Sequence, residues 1–325
     1  MSKSLSEVFS SAWSMAKRNF VALFVPTVIY VGVVLLLYGI NASGELTSLT
    51  RMDQAGYVPQ GAPIWTSAVM FAISVFLAPL YSGFITAVLR GTSITGKPTP
   101  MRAAWQAACA NYTKYLLTTL TQILFGFVFA MVIAVIAVVA VFVSALQNMV
   151  DWAVYSPDVW EALATLFSAL FPAIVIMAVI GWFYQFSQMF LSYIPGMEQT
   201  QGFKAFFSSF RYIYRGNFLK NLGHILLAEV IQGLITGLVA VIFFLPFFVN
   251  LGMCINMDSL VTAEQILHPL MWGLPLYMLV GGLVSSLMSV FFTPYYFEVY
   301  QSAKAETDRR EAAKGAAIPQ YPYGR

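Results

Sequence analysis

Six stretches of this chain, residues 20–40, 64–89, 114–146, 162–193, 222–249 and 271–300, are each at least 21 residues long and almost free of charge. A helix needs about 20 apolar residues to cross the hydrocarbon core of a bilayer. Composition agrees: 59% of the 325 residues are hydrophobic and 10% are charged, against about 25% charged in ordinary soluble domains. A water-surrounded core has no use for that much apolar surface, so lipid must be part of the solvent. The sequence therefore predicts an all-α, polytopic membrane protein with six transmembrane helices. Its first apolar stretch is too long for the core of a signal peptide.

Charge placement orients the spans. Of 17 Lys and Arg residues, Arg51 alone falls in a stretch expected outside; the other 16 fall in, or flank, the inner ends of the spans. Glu45, Asp53, Asp151, Asp158, Glu161, Asp258 and Glu264 fall outside. This bias predicts that both termini are cytoplasmic, in a bacterial inner (plasma) membrane. Cys109 and Cys254 fall on opposite sides, which argues against a disulfide between them. The outer loops are expected at 41–63, 147–161 and 250–268. Residues 1–305 read as one transmembrane domain and 306–325 as a disordered cytoplasmic tail.

Three short amphipathic segments precede alternate spans. In GFKAFFSSFRYIYR, Phe203, Phe206, Phe207, Phe210 and Tyr214 recur at helical spacing, opposite Lys204, Ser208, Arg211 and Arg215. Residues 5–18 place Leu5, Val8, Phe9, Ala12 and Ala16 opposite Glu7, Ser11, Ser14 and Arg18. A third segment sets Met101, Ala104, Trp105, Ala108 and Tyr112 against Arg102, Gln106 and Thr113. Such helices suit the membrane interface. Each is followed by Asn and an aromatic residue: Asn19-Phe20, Asn111-Tyr112 and Asn217-Phe218. The recurrence predicts three parallel helix-hairpin repeats, about 1–92, 93–195 and 196–304, around an axis along the membrane normal.

The segments FFSSFRYIYRGNF and FFTPYYFEVYQSAKAE carry a loose resemblance to a known group. Over residues 1–305 the chain resembles the six-helix membrane domain attached to some glycerophosphodiester phosphodiesterases, and related integral inner-membrane families of unassigned activity. The resemblance implies architecture alone. About 20 residues follow Lys304, so no phosphodiesterase domain is expected and no catalytic residue is carried over.

Local motifs for chemistry are sparse. Gly91-Thr-Ser-Ile-Thr-Gly96-Lys97 imitates a phosphate-binding loop, but Pro98 stands where a hydroxyl should hold magnesium, and no parallel sheet is expected. No cluster has metal-ligand spacing, so neither a metal nor a cofactor is expected. Glu229 is read as the one acidic residue clearly inside a span. It is expected to face the bundle interior near Gln232 and His224, with Gln185, Gln188 and Gln122 on neighbouring spans. That set is either a proton- or cation-coupled site or an interhelical hydrogen-bond anchor, the second being favoured. Gly233-x3-Gly237 and the run Gly281, Gly282, Ser285, Ser286 and Ser289 are expected to admit close helix approach. Lys17, Arg18, Arg102, Lys114, Lys204, Arg211, Arg215 and Lys220 are expected to form an inner ring touching anionic lipid. These features predict a non-enzymatic protein with an organising, lipid-associated or assembly role. Its partners would be membrane lipids and a protein subunit or second copy, with no nucleic acid. The alternatives are a secondary transporter or exporter built on Glu229 and, less favoured, an intramembrane enzyme acting on lipid.

Overall fold

The computed structural model describes residues 3–50, 64–152, 159–256 and 263–317. The described residues form α1 (Leu5–Arg18), α2 (Phe20–Thr50), α3 (Ile64–Ala72), α4 (Ala78–Thr95), α5 (Met101–Ala110), α6 (Tyr112–Trp152), α7 (Val159–Gln188), α8 (Ile194–Glu198), α9 (Gly202–Arg215), α10 (Phe218–Asn256) and α11 (Ala263–Ala317). No strand occurs among them. Arg51, Asp53, Asp158, Asp258 and the end of the tail, 318–325, lie outside the described residues.

Five segments are long and apolar enough to cross a membrane: Phe20–Gly39, Ser67–Thr95, Tyr112–Val139, Phe218–Asn250 and Gly273–Ala313. The fourth expected span falls in α7, where Ile174–Gln188 is a shorter apolar helix. A π-helical turn, Ile73–Leu77, joins α3 to α4 just before Pro79. Proline has no N–H to give and its ring crowds the carbonyl four residues back, so a widened turn there accommodates it.

Several helices overrun the sequence expectation. α2 continues through 41–50, because the strong breakers Gly56, Pro59, Gly61 and Pro63 all come later. α6 runs on to Trp152, and α10 to Asn256. Residues 306–317, expected to open a disordered tail, instead continue α11. Thr307 is buried, and Glu311 pairs with Arg211 of α9. Contacts made 100 residues away in sequence order this stretch.

The surface helices start and stop for local reasons. The Ser4 hydroxyl accepts the Glu7 N–H, and the Glu7 carboxylate accepts the Ser4 N–H at 2.6 Å, a reciprocal cap. Lys17 and Arg18 complement the helix dipole in the last turn. Asn19 ends α1 at φ −114°, ψ 20°, and its side-chain amide donates to the Met15 carbonyl at 3.0 Å. Asn111 ends α5 at φ −103°, ψ 6°, and donates to the Ala107 carbonyl at 3.0 Å. The third junction differs. Gly216 follows α9, and Asn221, one turn into α10, donates to the Tyr212 and Ile213 carbonyls instead.

α1, α5, α8 and α9 pack around one end of the bundle, here called the base. The buried core is concentrated there, with Val8, Ala12, Val88, Leu89, Phe190, Ile194, Ile213, Phe297 and Tyr300 essentially inaccessible. Gly282 accounts for the close approach of α11 to α2, since a side chain there would collide with Leu35 and stand 3.5 Å from Val31 Cγ1. The expectation for Gly233 and Gly237 is corrected: among the described residues nothing lies within 4 Å of a side chain built at either position, so this face of α10 makes no close contact with another described helix.

Candidate functional site

Two carboxylates tie the base together, and sequence reasoning passed over both. Glu298, on α11, is 2% exposed. It accepts a hydrogen bond from the Ser11 hydroxyl at 2.7 Å and pairs with the Lys3 ammonium. The Lys3 backbone N–H also donates to Ser302, and Lys220 donates to the Lys3 carbonyl. Glu298 therefore anchors the first residues to α11, and Lys220 ties the same residues to α10.

Glu198 ends α8 and accepts from the Tyr300 hydroxyl at 2.7 Å and the Tyr212 hydroxyl at 2.9 Å. Lys304 lies 3.1 Å away and also stands over the Tyr212 ring at 5.5 Å. Burial first, then the Glu198 charge, pushes the Tyr212 phenol above its ordinary range. Rings of Phe190, Tyr193, Phe297 and Tyr300 close over this cluster at centroid separations of 5.5–6.3 Å. Both carboxylates face donors from the helices they join, which makes them anchors. A glutamate set inside the aromatic run FFTPYYFEVY was the available signal for Glu298.

The predicted intramembrane site is only partly assembled. The Tyr296 hydroxyl donates to Glu229 at 3.0 Å, and the Gln232 amide donates to the same hydroxyl at 2.8 Å. His224 is buried and shares a 2.9 Å hydrogen bond with Tyr295. α10 and α11 thus bring Glu229, Gln232 and His224 onto adjacent tyrosines. Glu229 itself is exposed, which corrects the expectation that it faces the bundle interior. The Tyr296 hydroxyl gives its carboxylate a neutral donor, so no second charge is placed beside it. Gln122, Gln185 and Gln188 belong to the α6–α7 hairpin and make no hydrogen bond to Glu229. Gln122 and Gln185 are exposed, and Gln188 is buried with its amide nitrogen unpartnered.

All eight predicted basic residues lie at the base, in three environments. Lys17, Arg102 and Lys204 are exposed, with Lys17 over the Trp13 ring at 5.1 Å. Arg211 and Arg215 share Glu311. Arg18, Lys114 and Lys220 donate to Gly96, Gln199 and Lys3 oxygens.

Each surface helix buries a face that includes small residues and leaves other large apolar side chains exposed. α1 buries Ala12 and Ala16 while Phe9 and Trp13 are exposed. α5 buries Ala104 and Ala108 while Met101 and Trp105 are exposed. α9 buries Ala205, Ser209 and Ile213 while Phe203, Phe207 and Phe210 are exposed. The expected single aromatic face of α9 is thereby divided: Phe206 is buried and stacked on Phe125 at 4.2 Å, Phe203 and Phe207 meet the same ring edge-on while remaining exposed, Phe210 is exposed, and Tyr214 is half-buried. A polar cleft of about 750 Å³ opens beside α1, walled by Lys3, Ser6, Ser10, Ser14, Arg18 and Glu298. The false phosphate loop is a helix end: Gly96 adopts φ 67° and closes α4, and Gly91 packs on Thr99. Comparison of the chain with protein-family models, with curated proteins and with solved structures finds no match in any of the three.

Proposed function

We propose that the chain is a non-enzymatic, lipid-associated organising protein of the bacterial inner membrane, with six spans, both termini cytoplasmic, and three parallel helix-hairpin units. The observation that carries this reading is the shared design of α1, α5 and α9. Each has one face packed on the bundle and exposed Phe, Trp or Met side chains beside cations. Aromatic rings and basic side chains together favour the headgroup region of an anionic leaflet. The matching caps at Asn19 and Asn111 support the repeat. The resemblance to phosphodiesterase-linked membrane domains fits this architecture and supplies no chemistry. The hydrogen bonds of Glu229 and Gln232 to Tyr296, which join α10 to α11, favour an anchoring role over the transporter reading.

Reconstitution in nanodiscs tests the function. Anionic lipid retained by the purified protein, counted by native mass spectrometry, should fall when Lys17, Arg102 and Lys204 are changed together to Gln. An unchanged count, or a proton-coupled flux in liposomes lost on Glu229→Gln, would overturn the proposal. Topology has its own check. Cys109 is free and exposed on α5, so an impermeant thiol reagent should reach it from the cytoplasmic side alone.

A further inference from the structure

A trough of about 450 Å³ runs along the seam between α2 and α11. One helix face of α2, from Val28 to Leu36, and one of α11, from Pro275 to Ser286, line it. Both faces belong to segments long and apolar enough to cross a membrane. The lining carries one hydroxyl, and that is committed: Ser286 is buried and donates to the Gly282 carbonyl at 2.8 Å. The two helices touch along the seam, since a side chain at Gly282 would collide with Leu35 and one at Gly39 would stand 3.4 Å from the Met278 sulfur. Gly32 lies open between these contacts. It is exposed, and among the described residues nothing stands within 4 Å of a side chain placed there.

Water has no partner in such a place, and an empty cleft forfeits the dispersion contacts of its walls. Shape chooses the occupant. A helix with its side chains is about 10–12 Å across, wider than the trough between two helices that touch. A third helix would have to ride on the edges, where Leu36, Leu279 and Leu283 stand exposed. Helices associate in lipid through small residues and interhelical hydrogen bonds, and those edges offer neither. A single hydrocarbon chain fits between them. Depth chooses the leaflet. At 1.5 Å per residue Val28 stands about 12 Å and Leu36 about 24 Å beyond Phe20, where α2 begins. Each leaflet supplies about half of the roughly 30 Å hydrocarbon core. A tail rooted at the base would end near Val28, whereas one from the opposite leaflet lies along the trough.

We propose that the α2–α11 trough is a binding site for one acyl chain of a phospholipid whose headgroup lies in the leaflet away from the base. This goes beyond the lipid-associated reading, which concerns headgroups at the base, and does not rest on its cations. The full-length protein is placed in phosphatidylcholine nanodiscs that include phosphatidylcholine with a photoreactive diazirine midway along one tail. After irradiation, labelled residues are counted by peptide mass spectrometry. The lining of the trough should be labelled several-fold more than Leu120, Leu124, Phe127 and Val128, which are exposed on α6 at matching depth. Gly32→Leu fills the open floor and should bring labelling down to the α6 level without lowering the thermal midpoint. Should that variant fail to fold, Gly32→Ala takes its place and should lower the labelling part of the way. Neutralising Lys17, Arg102 and Lys204 should leave trough labelling unchanged, so this site and the lipid-associated reading fail separately. Wild-type labelling no greater than on α6, or an excess that neither Gly32 variant reduces, overturns the site. A dimer in native mass spectrometry that Gly32→Leu dissolves assigns the trough to a second copy and overturns it as well.

Discussion

The base of the bundle and the outer reaches of its long helices are built on different terms. At the base, Tyr300, Phe190 and Phe297 are sealed from contact and two glutamates meet donors from distant parts of the chain. In the most apolar 18-residue stretches of α6 and α10 not one residue is buried. Leu234, Leu238, Val241 and Ile242 of α10 are all more than half exposed. Lipid tails are as apolar as leucine, so helices inside a bilayer gain little by burying leucine against leucine. Where water reaches, burial and hydrogen bonding reward close packing. The specific interactions are accordingly concentrated at the base.

The largest expected effect tests that contrast at Glu198. Glu198→Ala strands the Tyr212 and Tyr300 hydroxyls in a packed environment and removes the partner of Lys304. It should cost about 2 kcal/mol, since two buried hydroxyls lose their acceptor while the partly exposed Lys304 can turn to water. Leu238→Ala, in the outer half of α10, should cost less than about 0.5 kcal/mol in lipid. Thermal midpoints of the two variants in the same nanodisc decide the matter. Equal losses would mean that the outer helices carry as much specific packing as the base.

A glycine pair sharpens the comparison by giving opposite signs. A methyl group at Gly196 would overlap the Tyr115 hydroxyl and stand 2.9 Å from Thr86 Cγ2. Tyr115 cannot retreat easily, because its ring already lies against Gly83, where an added Cβ would stand 3.3 Å from it. Gly196→Ala should therefore destabilise by about 2 kcal/mol through overpacking. Gly237→Ala meets open space inside a helix and should stabilise by about 0.5 kcal/mol. Two losses of similar size would show that the face of α10 around Gly237 is packed against a partner.

Much of this design was legible in the sequence, and its limits have physical causes. Apolar length and charge distribution announced long helices, and the Asn junctions marked where the surface helices stop. Helix faces were harder. In α9 five aromatics share one side, yet the bundle takes Phe206 with Ala205, Ser209 and Ile213, because small residues permit the closest approach. In the long spans hydrophobicity surrounds the whole helix, so periodicity carries little signal about which face meets protein. Glu298 was missed because its partner Lys3 is 295 residues away. The ordering of 306–317 depends in the same way on α9. Local pattern cannot report a contact made that far along the chain.

A smaller effect separates the rim of the base from its interior. Glu229→Gln keeps an oxygen to accept the Tyr296 hydroxyl at an exposed position. Stability, read from the thermal midpoint, should change by less than about 0.5 kcal/mol. Glu298→Gln, by contrast, loses the charge facing Lys3 at a site that is 2% exposed, and should loosen the amino-terminal segment enough for protease to reach it. Equal sensitivity would place Glu229 among the buried anchors.

The smallest effect belongs to the cap of α1. The Ser4 backbone N–H, then its hydroxyl, holds the Glu7 carboxyl below its ordinary value of 4.5. Its folded-state pKa is thus depressed, so its stabilisation is present above pH 4.5 and is lost as pH falls through the folded value. Hydrogen exchange in the first turn of α1 should quicken a few-fold across that acid window. Glu7→Gln should abolish the pH dependence while keeping an acceptor for the Ser4 N–H. Exchange elsewhere in α1 should stay slow, because Val8, Ala12 and Ala16 are buried in the bundle and need no cap to hold them. If acid instead releases the whole helix, α1 depends on its exposed cap more than on its packed face, and the base is less strongly consolidated than its burial implies.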